Sequence, residues 1–206
     1  MKKALLITRP NYDIPTRYFY YWSKAVIDKA KKGGIEVVDL RVEKASRKNF
    51  RKEIKNNPLF VFMNGHVNKG ATFCFDRGIL MERGEEELLK SKIVCNFLSG
   101  SMEKNGFDSK KSSATALIGY DKDFIFFCRP KPKTSPLLDE SAHPFLDPLT
   151  ALSIAILSGE SPAQSVKKAK KIFRNNFKKS LKEKSYLAPF LLWDMNHLKL
   201  IKKERL

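Results

Sequence analysis

Cysteine is scarce in this chain and scattered along it. The three present, Cys74, Cys95 and Cys128, form no C-x-x-C pair and leave one unpaired if two bridge. That excludes a disulfide framework and makes a reduced, cytoplasmic protein the simplest reading. Histidine is equally rare, at three residues with no His/Cys cluster. A dedicated transition-metal site is therefore not expected, and no cofactor is. The usual phosphate cradles, G-x-x-x-x-G-K-[ST] and G-x-G-x-x-G after a strand, are missing. So is the G-x-S-x-G turn of α/β-hydrolases. No apolar run approaches the length of a membrane span. The apolar stretch near the amino terminus, Ala4 to Ile7, is too short for a signal-peptide core and reads as a first strand. Acids are outnumbered, 22 against 40 Lys plus Arg, for a formal charge of +18. Such a field favours anionic partners, nucleic acid or acidic membrane, although lysines dispersed on helix faces are also ordinary solvation.

What is present suits one folded domain over 1–206. The hydrophobic fraction is 42%, with 15 Phe and 6 Tyr, enough to bury a core. Strands and helices alternate. Ala4–Thr8 is an apolar strand. A helix begins near Pro15, with Tyr18, Trp22, Val26 and Ala30 on one face and Gly33-Gly34 as its stop. Ile35–Leu40 and Leu59–Met63 are further strands, separated by a basic helix over 45–56. A long connection, 66–91, holds an acidic helical piece at 85–90. Ile93-Val-Cys-Asn-Phe-Leu98 is the fourth strand, running into Ser99-Gly100-Ser101. A small-residue helix around 109–114, a strand Ala116–Gly119 and an aromatic strand Phe124–Phe127 follow. Residues 129–148 read as a loop leading into an apolar helix at 145–158. Ser161-Pro-Ala-Gln164 then has the form of a capping box opening another helix. The apolar end, Tyr186 to Ile201, is expected to pack back on the domain. Short continuous apolar strands alternating with helices predict an α/β fold with a mostly parallel sheet sandwiched by helices.

In such a sheet, functional groups collect beyond the carboxyl ends of the strands. Asn64-Gly65-His66 occupies one such end and Leu98-Ser99-Gly100-Ser101 another. If those strands are neighbours, His66 and Ser99 face one crevice, and a His beside a hydroxyl is a minimal base–nucleophile pair. A lone loop histidine is the plainer reading of His66. The competing nucleophile, Cys95, lies about 13 Å back along the strand from Ser99 at the usual rise. It reads as a buried thiol packing as a small hydrophobe.

The two segments, FVFMNGHV and KIVCNFLSGS, resemble the two signature blocks of the caspase-like superfamily of cysteine peptidases. That group includes the caspases, the gingipain-like peptidases and the CHAT-type domains. Ser113–Tyr120, Leu157–Phe173 and Pro189–Trp193 are similar to later elements of the same families, so the likeness runs in order through most of the chain. It implies a caspase-like three-layer architecture with His66 as base and position 99 as nucleophile. Two departures stand out: Val67 follows the histidine where the family has Gly, and Ser99 stands where it has Cys. A hydroxyl needs a well-oriented base, and no acid is identifiable from sequence to orient His66.

Three readings follow. In the first, the domain is catalytically degenerate and serves as a binding or regulatory module for a protein or peptide. In the second, it is an active peptidase or hydrolase using Ser99 and His66, with the Gly65 and Gly100 amides at the oxyanion. In the third, it is a basic module whose face at Lys167, Lys168, Lys170, Lys171, Arg174, Lys178 and Lys179 binds nucleic acid or acidic membrane.

Overall fold

A computed structural model describes residues 3–68, 71–98, 112–129 and 135–201. Nine strands and five α-helices are formed among them. The central sheet is made of β1 (Ala4–Arg9), β2 (Glu36–Arg41), β3 (Phe60–Met63), β7 (Ile93–Asn96), β8 (Ala116–Tyr120) and β9 (Leu198–Ile201). They lie in the order β2-β1-β3-β7-β8-β9. The first five are mutually parallel and β9 is antiparallel to β8. Helices α1 (Ile14–Lys32), α2 (Arg47–Glu53), α3 (His143–Leu157), α4 (Pro162–Lys182) and α5 (Ala188–His197) flank it. The expected α/β class with a mostly parallel sheet is what forms.

Strand side chains alternate between two cores because successive Cβ atoms leave opposite faces. Leu5, Ile7, Phe60, Phe62, Cys95, Ile118 and Tyr120 point toward α1, α3, α4 and α5. Leu6, Val61, Met63, Val94 and Leu117 point to the opposite face, where Phe50 of α2 packs. Cys95 is buried as the alternation requires. The face of α1 is as its periodicity predicts: Tyr18, Trp22, Val26 and Ala30 are all buried.

Several elements differ from the sequence expectation. The connection 66–91 is mainly a second sheet, with antiparallel strands β4 (Val67–Asn68), β5 (Ala71–Phe73) and β6 (Ile79–Glu82). The acidic piece is only one 3-10 turn, Glu86–Leu89. The segment 124–127 is not a strand, because the carboxyl-terminal β9 takes the free edge of β8. Its rings instead pack outside the ladder: Phe124 and Phe126 approach Phe19 of α1, and Phe127 lies 4.6 Å from Phe190 of α5. Residues 112–114 are not helical, and 109–111 lie outside the described residues. Helix α3 starts two residues earlier than expected and contains Pro148. Proline cannot donate to the carbonyl of Pro144 four residues back. Asn176 of α4 donates its Nδ2 to that oxygen at 2.9 Å.

Candidate functional site

The order β2-β1-β3 reverses direction at β1, so the crevice between the carboxyl ends of β1 and β3 is the topological switch point. The chain leaves β1 through Pro10-Asn11-Tyr12 and starts α1 at Asp13. Asp13 is the N-cap, and one carboxylate oxygen accepts from the Thr16 amide at 2.9 Å and the Thr16 hydroxyl at 2.7 Å. Thr16 Oγ1 accepts in turn from the Asp13 amide at 3.2 Å, which closes a capping box. The second carboxylate oxygen is free to turn outward, and it meets His66 Nε2 at 2.9 Å.

His66 is brought there by the end of β3. The Asn64 amide donates to Thr8 Oγ1 at 3.3 Å and its Nδ2 to Ser23 Oγ at 2.8 Å, tying the turn to β1 and α1. Gly65 is required by close approach: a Cβ there would stand 1.7 Å from the Phe73 carbonyl oxygen. The Phe73 amide donates to the His66 carbonyl at 2.8 Å. The small sheet therefore clamps the turn, and the imidazole is set between two anchored segments. The Tyr12 ring lies 6.1 Å from it. Burial, with Asp13 alongside, pushes the Tyr12 hydroxyl up to about 12, so it remains protonated. In the tautomer that donates Nε2–H to the Asp13 carboxylate, Nδ1 carries the lone pair, the arrangement of an oriented general base.

Asp13 is the residue that sequence reasoning missed. Its signal was the D-x-x-T capping pattern directly after β1, which announces a helix start but not a second role for the carboxylate.

Strands β3 and β7 are adjacent and parallel, with Met63 paired to Asn96. Just beyond them, Leu98 accepts a hydrogen bond from the Val67 amide at 3.4 Å. The residues flanking His66 and preceding position 99 are thus joined directly. Ser99, Gly100 and Ser101 themselves lie outside the described residues.

Other candidates have structural occupations. Arg9 is buried; its guanidinium grips Asp39 at 2.8 and 2.5 Å, donates to the Tyr20 carbonyl at 2.9 Å and lies over the Tyr20 ring. Both nitrogens of His143 are used, by Asp147 at 2.9 Å and the Leu137 carbonyl at 3.0 Å. His197 pairs with Asp121 at 2.7 Å and rests on Trp193, and no described hydroxyl or thiol bonds to it. Burial raises the Cys95 thiol far above its ordinary range and also raises Cys74 and Cys128. None of the three is poised as a thiolate. Among the described residues no group of three or more His, Cys, Asp or Glu is placed to hold a metal ion.

The basic face on α4 is only partly as expected. Lys167, Lys171, Arg174 and Lys178 are exposed. Lys168 and Lys179 are exposed too, but each has an acid close by, Glu160 at 2.7 Å and Glu183 at 4.0 Å. Lys170 does not belong to the outward face. It is half-buried toward Lys199 and Asp121, and burial there lowers its ammonium. Among the described residues no helix is long and apolar enough to cross a membrane. No family model matches the chain, and no curated protein matches it.

Proposed function

We propose that the chain is a caspase-like domain that keeps the imidazole–carboxylate half of a hydrolytic site, carries serine at the nucleophile position, and acts as a binding or regulatory module for a protein or peptide. The observation that carries this reading is the junction of β3 and β7. His66 follows one strand, position 99 follows its parallel neighbour, and the Val67–Leu98 hydrogen bond ties the two exits together. The residue at 99 excludes thiol chemistry there. A hydroxyl is far less ionised than a thiol beside imidazole and is a poor nucleophile without strong activation.

One observation favours a second reading. The Asp13 carboxylate on His66 Nε2 supplies the orienting acid that a serine nucleophile needs. In that case Ser99 Oγ attacks a carbonyl carbon and its proton passes to His66 Nδ1. Asp13 stabilises the imidazolium, and the Gly65 and Gly100 amides hold the oxyanion.

Reactivity at position 99 separates the two. The binding-module reading expects the wild-type protein to be inert toward fluorophosphonate probes and activated esters. It expects Ser99→Cys to gain labelling by a peptidyl acyloxymethyl ketone, lost again in Ser99→Cys/His66→Ala. Wild-type fluorophosphonate labelling at Ser99, abolished by His66→Ala and weakened by Asp13→Asn, replaces it with the hydrolase reading. If the thiol introduced by Ser99→Cys reacts no faster than Cys128, both readings are wrong.

A further inference from the structure

Helix α4 carries seven lysines and one arginine over Pro162–Lys182 and no acid. An exposed helix that is merely solvated ordinarily mixes signs, since Glu–Lys pairs at i,i+4 stabilise it and like charges at that spacing repel. Within α4, five cations recur at steps of four, three, four and four: Lys167, Lys171, Arg174, Lys178 and Lys182. All five are exposed. At 1.5 Å per residue they form a straight ridge about 22 Å long. At 100° per residue the ridge lies on the side opposite the buried Val166, Ala169 and Phe173. Unlike Lys168 and Lys179, none of the five has an acid within 4 Å among the described residues.

Two further features narrow the partner. Leu181 projects from the same ridge and is 55% exposed, with Tyr186 equally exposed just beyond the helix. Four of the five ridge cations are lysine and only one is arginine. Lysine, a point charge on a flexible stem, suits headgroup phosphates and carboxylates without demanding a fixed geometry.

We propose that the outer face of α4 docks on an anionic lipid bilayer, with the cation ridge at the headgroups and Leu181 inserted between them. Each cation near such a surface strengthens binding about fivefold.

The test is co-sedimentation of the full chain with phosphatidylcholine vesicles, with and without phosphatidylserine. Binding is expected only with phosphatidylserine. It should collapse as salt rises from about 0.1 M to about 1 M, where the Debye length falls from about 10 to about 3 Å. Lys171→Glu/Lys178→Glu should lower the partition coefficient at least about thirtyfold. Lys29→Glu/Lys32→Glu, an equal charge change at the exposed end of α1, should leave it nearly unchanged. Leu181→Ser should weaken binding without altering its salt dependence. Unaltered far-ultraviolet circular dichroism keeps misfolding out of the comparison. Equal losses in the two charge-reversal variants would make net charge the cause and overturn the proposal. So would binding that ignores phosphatidylserine, or a duplex DNA that displaces the vesicles and depends on the same lysines.

Discussion

Asp194 sits on α5 with none of its surface exposed. One carboxylate oxygen accepts from the Ile125 amide at 3.1 Å, and the other has no hydrogen-bond partner among the described residues. Burial drives its pKa from the ordinary 3.8 up to about 8, so at neutral pH the folded protein holds it mainly as the neutral acid. The unfolded chain, by contrast, releases that proton above pH 4. Between pH 4 and 8 the native state therefore binds about one more proton than the unfolded state, and this group makes stability fall as pH rises. The slope is about 1.4 kcal/mol per pH unit, and the loss by pH 7 approaches ~4 kcal/mol. That is a large share of a typical domain's 5–15 kcal/mol. Asp194→Asn keeps an oxygen for the Ile125 amide and removes the titration. Urea unfolding of both proteins at pH 5, 6, 7 and 8 isolates the effect, because every other titrating group cancels in the difference. The variant's advantage should grow by about 1.4 kcal/mol for each pH unit from 5 to 7 and level off toward pH 8, as the folded-state pKa is reached. A difference that stays constant with pH would refute the reasoning, whatever its size.

Two further outcomes follow from the packing. Gly65→Ala must displace the Phe73 carbonyl, which a Cβ would approach to 1.7 Å; we expect a loss of about 1–3 kcal/mol, read as a lower urea midpoint at unchanged m. Asn176→Ala removes the donor to the Pro144 carbonyl and should cost about 1 kcal/mol. In a Pro148→Ala background a backbone N–H can take its place, so the cost should shrink, and a double-mutant cycle with zero coupling would show that the contact contributes nothing.

The parallel core was legible because each strand is a short apolar run with a turn signal beside it, and because α1 repeats Tyr18, Trp22, Val26 and Ala30 on one face. The small sheet was not. Its strands are two to four residues long, too short for alternation to rise above noise, and they are held by a hairpin packed on Gly65 more than by their own pattern. Strand β9 was hidden for a different reason. Leu198–Ile201 continues an apolar helix without a break, and only the vacant edge of β8, a tertiary fact, draws it into the sheet. Phe124–Phe127 failed in the opposite sense: aromatic residues with strand propensity lost the edge to β9 and became side-chain packing. At the site, the position of His66 could be read from its place after a strand. Its partner could not, since Asp13 lies 53 residues away in sequence and only the neighbouring of β1 and β3 brings the two together.

A carboxylate beside an imidazole distinguishes nothing by itself in this chain, because all three histidines have one: His66 with Asp13, His143 with Asp147 and His197 with Asp121. The difference lies in what surrounds each pair. His143 is closed at both nitrogens, and His197 leans on Trp193 at the edge of the sheet. His66 alone stands at the switch point with Nδ1 directed away from its acid, beside the strand exit that leads to position 99. Its acid is also the least replaceable. Ser, Thr, Asn and Asp all cap a helix comparably well, so the start of α1 does not by itself require a carboxylate at position 13. Only Asp among them gives the imidazole a negative charge to face while holding the Thr16 amide with its other oxygen. The same side chain thus starts the helix that covers β1 and holds the imidazole at the end of β3 through its Nε2. The geometry of the candidate base is therefore as stable as the first turn of α1, whether or not the serine beyond Leu98 ever uses it.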